Sequence, residues 1–169
     1  GNALLYNHRC RRFSRLDGLT MLLNRTQYEK DLERIKPPAV IINMDVDDFK
    51  QINDTSGHAA GDYYLRQIAE VIRTVYGRHG DCYRYGGDEF SLILTKNLHQ
   101  MEKLNGMFET ALGQLREQDP QMPMVSLGYA LYEGGIEALY ATIEKADAMM
   151  YRNKKVNDRA EIVENAAEF

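Results

Sequence analysis

Two aspartates close an apolar segment and could bind a divalent cation. Asp45 and Asp47 stand at the end of AVIINMDV, residues 39–46, which predicts a strand covered on both faces. Because side chains alternate along a strand, both carboxylates are expected on one face, about 6 to 7 Å apart. Like charges resist burial, and a divalent cation relieves that cost. The alternative is that one aspartate caps the following helix and the other is solvated.

A second acidic pair follows two glycines. Gly86 and Gly87 precede Asp88 and Glu89, between the strand-like segments CYRY and EFSLILT. This pattern predicts a hairpin with a two-residue loop that needs positive φ. If the hairpin pairs beside the first strand, three or four carboxylates converge near Asp45. Such oxygen ligands suit Mg²⁺ or Mn²⁺, which complete their coordination with phosphates and water. Solvated acids on an ordinary turn are the alternative.

Three polar residues between positions 49 and 62 could bind a nucleotide. Lys50 follows the two aspartates and can bind a terminal phosphate. Asn53 and Asp62 offer an amide and a carboxylate suited to a guanine edge, whose two donors adenine lacks. Each residue has an ordinary explanation when taken alone: a solvated lysine, a turn asparagine and an aspartate near a helix start.

Helices that alternate with a few strands must position these groups. This order favours an α/β (α+β) fold with helices packed around a mixed sheet. The predicted elements are a helix ending an upstream segment within residues 1–16, a helix near 26–35, a strand at 39–46, helices at 48–55 and 60–76, the hairpin, a helix at 101–115, a strand at 124–132, a last helix at 136–150 and an edge strand near 160–163.

Composition describes an ordinary soluble domain. The chain has 169 residues and a formal net charge of -4, so it has no general attraction to nucleic acid or to an anionic membrane. Cys10 and Cys82 form no disulfide framework, and the four histidines have no zinc-like spacing. No apolar run approaches the roughly 18 residues that span a bilayer. We therefore expect a cytoplasmic domain, or the cytoplasmic part of a larger membrane-bound protein.

The ordered motifs resemble the GGDEF domain of diguanylate cyclases, a bacterial signal-transduction family. They are DGLTMLLNR, DVDDFKQINDTSGHAAGD, RYGGDEF, SLGYA and YRNK, running from Asp17 to Lys154. The resemblance implies a palm-like, ferredoxin-like nucleotidyl cyclase fold with a mostly antiparallel sheet of about five strands. It places the domain at residues 17–169, after an upstream signalling helix at 1–16. It also implies that two GTP condense into cyclic di-GMP and two pyrophosphates, in a homodimer of domains driven by an upstream sensory or dimerising region.

The resemblance also implies a role for each matched residue. Two Mg²⁺ or Mn²⁺ ions per site would be bound by Asp45, the Val46 carbonyl and Asp88, with Glu89 beside them in a metal or base role. Lys50 belongs to the catalytic group with Asp88 and Glu89. The GTP-binding positions are Phe49, Lys50, Asn53, Asp62 and Lys154.

Two departures from the family pattern qualify this interpretation. Asp158 stands where the family often has a phosphate-binding arginine, which Arg159 would replace only by a one-residue shift. Arg78 and Asp81 spell the R-x-x-D of a product-inhibition site, but one residue too close to the hairpin. A loop pair at the start of a strand is the alternative. The alternatives for the whole domain are a degenerate form that binds GTP or cyclic di-GMP without catalysis, and a class III-like cyclase that makes a mononucleotide.

Overall fold

A computed structural model describes residues 2–5 and 14–167, apart from the side chain of Glu137. Five α-helices and four strands are described between residues 25 and 167, with a short 3₁₀-helix at Leu98–Gln100. They are α1 (Arg25–Leu32), β1 (Ala39–Val46), α2 (Phe49–Ser56), α3 (His58–Tyr76), β2 (Gly80–Arg84), β3 (Glu89–Leu94), α4 (Met101–Gln118), β4 (Val125–Tyr132) and α5 (Ile136–Ala167). None of the helices in this part of the chain is long and apolar enough to cross a membrane.

The strands form one antiparallel sheet in the order β2-β3-β1-β4. The sheet therefore has four strands, and the expectation of about five is wrong by one. The predicted edge strand at 160–163 is helical and belongs to α5. Ile162 and Val163 favour a strand by their branched side chains, but both are exposed along a helix that continues past the sheet.

Alternation along β1 divides the core between the two faces of the sheet. Val40, Ile42, Met44 and Val46 face the main core, where apolar side chains of α3, α4 and the other strands join them. Odd-numbered residues face the other side, where Ala39 packs in a smaller cluster with residues of α1, β2 and β4. Asp45, the acidic residue of β1, therefore lies on the face that α5 crosses.

Gly128 allows α5 to approach β4 with backbone against backbone. A Cβ built on Gly128 would collide with the Ala146 carbonyl and the Met150 amide of α5. Only glycine leaves room for this contact. The second half of α5 is thereby held over the end of β1.

The predicted upstream helix is only partly described. Residues 2–5 are helical, and residues 6–13 lie outside the described residues. Residues 14–16 are not helical, because Leu16 forms an antiparallel bridge with Leu23. The proposed boundary between residues 16 and 17 stays a prediction.

Candidate active site

Strand register brings the two acidic motifs together. Asp45 of β1 pairs with Glu89 of β3, and the Val46 amide donates to the Asp88 carbonyl at 2.9 Å. The negative charge of Asp45 is among the causes that raise the pKa of Asp88, so the two carboxyl groups lie near each other at this end of the sheet. The prediction that the hairpin pairs beside β1 is confirmed.

The hairpin loop differs from the predicted two-residue turn. Residues 85–88 connect the strands, and neither Gly86 nor Gly87 has positive φ. A four-residue loop built around a type I turn does not need that conformation. Gly86 instead leaves space for Glu89, since a Cβ there would lie 2.7 Å from Glu89 Oε2.

The two carboxylate oxygens of Asp45, a predicted cation ligand, have different surroundings. Its Oδ2 accepts from Lys154 Nζ at 2.8 Å, and its Oδ1 is buried without a hydrogen-bond partner. The hydrogen bond to Asp45 is the main cause that raises the pKa of Lys154. A buried acceptor with no donor is a costly arrangement that a bound cation would relieve.

The surroundings of Asp88 and Glu89 raise the pKa of both carboxyl groups. Burial, followed by the negative charge of Asp45, raises the pKa of Asp88. Burial and the charges of Asp88 and Asp45 likewise raise the pKa of Glu89. Both acids are therefore poised to exchange a proton or to accept a positive ion.

Asp47 has a different role from the one predicted. It is buried, and its carboxylate accepts from Ser126 Oγ at 2.7 and 2.9 Å and from Asn157 Nδ2 at 3.0 Å. It neither caps α2 nor lies in solvent, so both ordinary explanations for the second aspartate are wrong. Together with the Asn153 amide, which donates to the Leu127 carbonyl at 2.7 Å, these bonds hold α5 against the sheet.

The predicted convergence of three or four carboxylates is smaller than expected. Asp45 and Asp88 lie near each other where Val46 pairs with Asp88, while the Asp47 carboxylate accepts from Ser126 and Asn157. Within residues 2–5 and 14–167, no three histidine, cysteine, aspartate or glutamate side chains are grouped to hold a metal unaided. Asp45 and Asp88 fit a magnesium ion that takes the rest of its ligands from backbone, water and phosphate.

The residues expected to bind the nucleotide lie on α2, α3 and α5. Phe49 is partly buried against the core, whereas Lys50 is exposed one residue later. The Asn53 side chain packs on Gly61, where a Cβ would collide with Asn53 Oδ1, and Asp62 is the next, exposed residue. The packing of Asn53 on Gly61 therefore brings α2 against the first turns of α3, the helix that carries Asp62. Gly61 was not singled out from the sequence, although its position beside Asp62 offered a signal.

The backbone at Asp48 redirects the chain between β1 and α2. Asp48 adopts the left-handed conformation, with φ of 52°, directly after the carboxylates of β1. Aspartate tolerates this conformation better than most residues do. The resulting turn starts α2 immediately, which keeps Phe49 and Lys50 near the end of β1.

The end of the site near α5 is acidic. Asp158 and Glu161 follow Lys154 along α5, and Glu161 lies near enough to Asp48 to feel its negative charge. Burial is the main cause that raises the pKa of Glu161, followed by the charge of Asp48. The position where the resemblance implies an arginine thus carries the carboxylate of Asp158, followed by Arg159.

The predicted product-inhibition residues do not form a pair in the described part of the chain. Arg78 lies in the turn before β2, and Asp81 lies within β2, opposite Ile93. Both are exposed, and no ion pair joins them among the described residues. Product inhibition through these two residues stays a prediction.

A groove of about 960 Å³ lies on the α1 side of the sheet. Glu89 lines it, together with four tyrosines and Asp147. Of the predicted site residues, only Glu89 borders this groove. The groove therefore adjoins the carboxylate centre without containing it.

Comparison with known proteins agrees with this geometry. A family model described as "Diguanylate cyclase, GGDEF domain" matches residues 14–159. Diguanylate cyclase DosC of Escherichia coli is 32% identical over 153 residues, covering 83% of this chain and 33% of DosC. Cyclic di-GMP phosphodiesterase PdeB of Shewanella oneidensis is 37% identical over 93 residues, 53% of this chain and 11% of PdeB. The chain thus spans a third or less of these two curated relatives.

A solved structure shares the fold. The coiled coil and GGDEF domain of DgcB from Caulobacter crescentus, in complex with c-di-GMP, superimposes with a TM-score of 0.78 at 27% identity, covering 91% of this chain and 87% of that one. The palm-like nucleotidyl cyclase fold is confirmed. The chain belongs to the GGDEF domain family of diguanylate cyclases.

Proposed function

We propose that this domain is a diguanylate cyclase that condenses two GTP into cyclic di-GMP and two pyrophosphates. The observation that carries the proposal is that strand pairing brings Asp45 and Asp88 to the same end of the sheet, where Asp45 Oδ1 is buried without a hydrogen-bond partner. The proposed cofactor is Mg²⁺ or Mn²⁺, two ions per site. Bound there, the ions would neutralise the phosphates and lower the pKa of the attacking hydroxyl.

The residues of the chain divide the work of binding and orientation. Asp45, Asp88 and the Val46 carbonyl would hold the cations. Asn53 and Asp62 would select guanine. Adenine lacks the two donors of the guanine edge, so the acceptor groups of these side chains would stay unpaired if adenine were bound. The remaining contacts, to the phosphates, are assigned to Phe49, Lys50 and Lys154.

The bond-forming step needs two copies of the domain. The 3′-hydroxyl oxygen of one GTP attacks the α-phosphorus of the other, the bond to pyrophosphate breaks, and the hydroxyl proton leaves. The raised pKa of Glu89 makes this carboxylate a candidate acceptor for that proton. Each domain binds one GTP, so we propose a homodimer of domains, brought together by a sensory or dimerising region upstream.

A second candidate function is a domain that binds GTP or cyclic di-GMP without turnover. The acidic end of α5 favours it, because Asp158 and Glu161 repel phosphates where a cation would attract them. In that case the domain would signal by binding alone.

Product analysis distinguishes the two candidates. The purified domain, fused to a parallel leucine zipper, is incubated with GTP and Mg²⁺, and the nucleotides are separated by chromatography. Cyclic di-GMP in the wild type and its absence in Asp45→Ala are expected. Tight GTP binding without any product would overturn the enzyme proposal in favour of the binder.

A further inference from the structure

Lys154 and the unpaired oxygen of Asp45 form an arrangement that a fixed structural ion pair does not explain. Lys154 Nζ is bonded to one carboxylate oxygen of Asp45 at 2.8 Å, while the other oxygen is buried without a partner. The Asp45 side chain is 15% exposed and that of Lys154 is 34% exposed. One half of this carboxylate is thus satisfied by an ammonium group, and the other half is unsatisfied.

The same ammonium group would interfere with a cation at Asp45. A lysine and a divalent ion would both need this carboxylate, and their positive charges repel strongly at short range. Asp47 offers Lys154 little compensation, because its oxygens already accept from Ser126 and Asn157. A cation can therefore bind fully at Asp45 only when Lys154 turns elsewhere.

Lys154 can move without any movement of α5. Asn153 and Asn157, its neighbours along the helix, anchor the backbone to β4 and to Asp47. The lysine stem has four flexible carbons, so the ammonium can turn while the helix stays in place. Phosphate oxygens are the alternative acceptors that a nucleotide would bring.

We propose that Lys154 has two mutually exclusive partners: Asp45 in the nucleotide-free protein, where it weakens cation binding, and phosphate when a nucleotide is bound. The inference rests on the proposed nucleotide site and adds a property to it. Nucleotide and divalent cation bind with positive coupling, and each raises the affinity of the other by the same factor. The free protein is thereby kept from binding a cation tightly without substrate.

The test measures Mn²⁺ binding to the nucleotide-free protein by calorimetry and by the paramagnetic resonance of free Mn²⁺. Lys154→Met should bind Mn²⁺ about tenfold tighter than the wild type, which is the scale of one charge-assisted hydrogen bond. Lys155→Met, which removes the adjacent exposed lysine, should leave the affinity unchanged. Lys154→Arg keeps the positive charge and should retain the weak binding of the wild type.

The outcomes separate this inference from the proposed function. Equal or weaker Mn²⁺ binding by Lys154→Met would overturn the competition, whether or not the domain turns over GTP. The same result from Lys154→Gln decides the question if the methionine variant aggregates. Failure of the wild type to bind α,β-methylene GTP at any Mn²⁺ concentration would contradict the nucleotide site, and the nucleotide-free comparison would still stand.

Discussion

Asp17 and Asp45 are two partly buried aspartates, and each forms an ion pair with one basic side chain, Arg84 or Lys154. Their other hydrogen-bond partners differ. Asp17 accepts from the Thr20 amide at 2.8 Å, from the Thr20 hydroxyl at 2.7 Å and from Arg84 Nη1 at 3.2 Å. Asp45 accepts from Lys154 through one oxygen and has no donor for the other. The exposed fractions are similar, 20% and 15%, so burial does not explain the difference.

The two surroundings act on pKa values in opposite directions. Burial tends to raise the pKa of Asp17, but the hydrogen bonds from Thr20 and the charge of Arg84 outweigh it and lower the pKa. Beside Asp45, burial and the Asp45 charge raise the pKa of Asp88. Near Asp17 the unpaired atom is a donor, the buried Arg84 Nε. Asp17, which stabilises the fold, has hydrogen-bond donors for its carboxylate. Asp45, where a metal ion is expected, has one carboxylate oxygen without a donor.

The largest expected effect is on activity. Asp45→Ala should reduce the cyclase rate by about 10³-fold, because a bound metal contributes several kcal/mol and each 1.4 kcal/mol is a factor of ten. Chromatography of the product and circular dichroism of the fold check this together. If the variant is folded and keeps its activity, the assignment of Asp45 as a cation ligand is wrong.

The next effect is on stability. Asp17→Ala should lower the free energy of unfolding by about 1.5 to 3 kcal/mol, since it removes charge-assisted bonds and leaves the Arg84 side chain with only the Gly87 carbonyl as a hydrogen-bond partner among the described residues. Urea denaturation measures it. Asp54→Ala, an exposed aspartate of α2, is the matched control and should change stability by at most about 0.5 kcal/mol.

The same stabilisation depends on pH. Because the pKa of Asp17 is below 3.8 in the folded state, its contribution is present above pH 3.8 and is lost as pH falls through the folded value. The difference between the wild type and Asp17→Ala should therefore shrink in acid. A difference that grew on acidification would contradict the role given to Thr20 and Arg84.

Asp62 is an exposed carboxylate outside both regions. Asp62→Ala should weaken GTP binding by at most about 1.5 to 3 kcal/mol, the range for one charge-assisted pair, and leave stability unchanged. Calorimetry with α,β-methylene GTP measures the change. Unaltered affinity would mean that Asp62 has no part in guanine selection.

The smallest effect is expected at Asp88. Its raised pKa means that the folded state binds more protons than the unfolded state above pH 3.8, so stability falls as pH rises through this window. Asp88→Asn removes the charge and should flatten this fall, with a gain of about 1 kcal/mol or less at neutral pH because solvent screens the site. Thermal denaturation between pH 4 and 7 measures both slopes.

Local patterns predicted the parts of the fold that depend on nearby residues. The apolar run before Asp45 and the letters around Asp88 predicted β1 and the hairpin, and antiparallel pairing brought the two together. The bonds of Asp47 could not be predicted this way, because Ser126 and Asn157 lie 79 and 110 positions away. The hydrogen-bond donors that a carboxylate receives here depend on how α5 packs against the sheet. A short sequence pattern does not determine that packing.

The last helix shows a second limit. Its stop was expected before the tail, yet α5 runs to Ala167. Asn157 lies within α5, where its side chain donates to Asp47 while the helix continues. No glycine or proline follows in the tail, so the helix extends through residues 160–163, where an edge strand was predicted.

Gly128 has a consequence for how sequence variation in this domain should be interpreted. A single methyl group at this position would push α5 off the sheet and carry Lys154, Asn157 and the Asp47 contacts away with it. Such a variant would lose activity like a variant of the catalytic centre, although position 128 touches neither cation nor nucleotide. Genetic screens that rank positions by lost activity alone would count this glycine among the catalytic or binding residues. Its actual contribution is to set the spacing between α5 and β4.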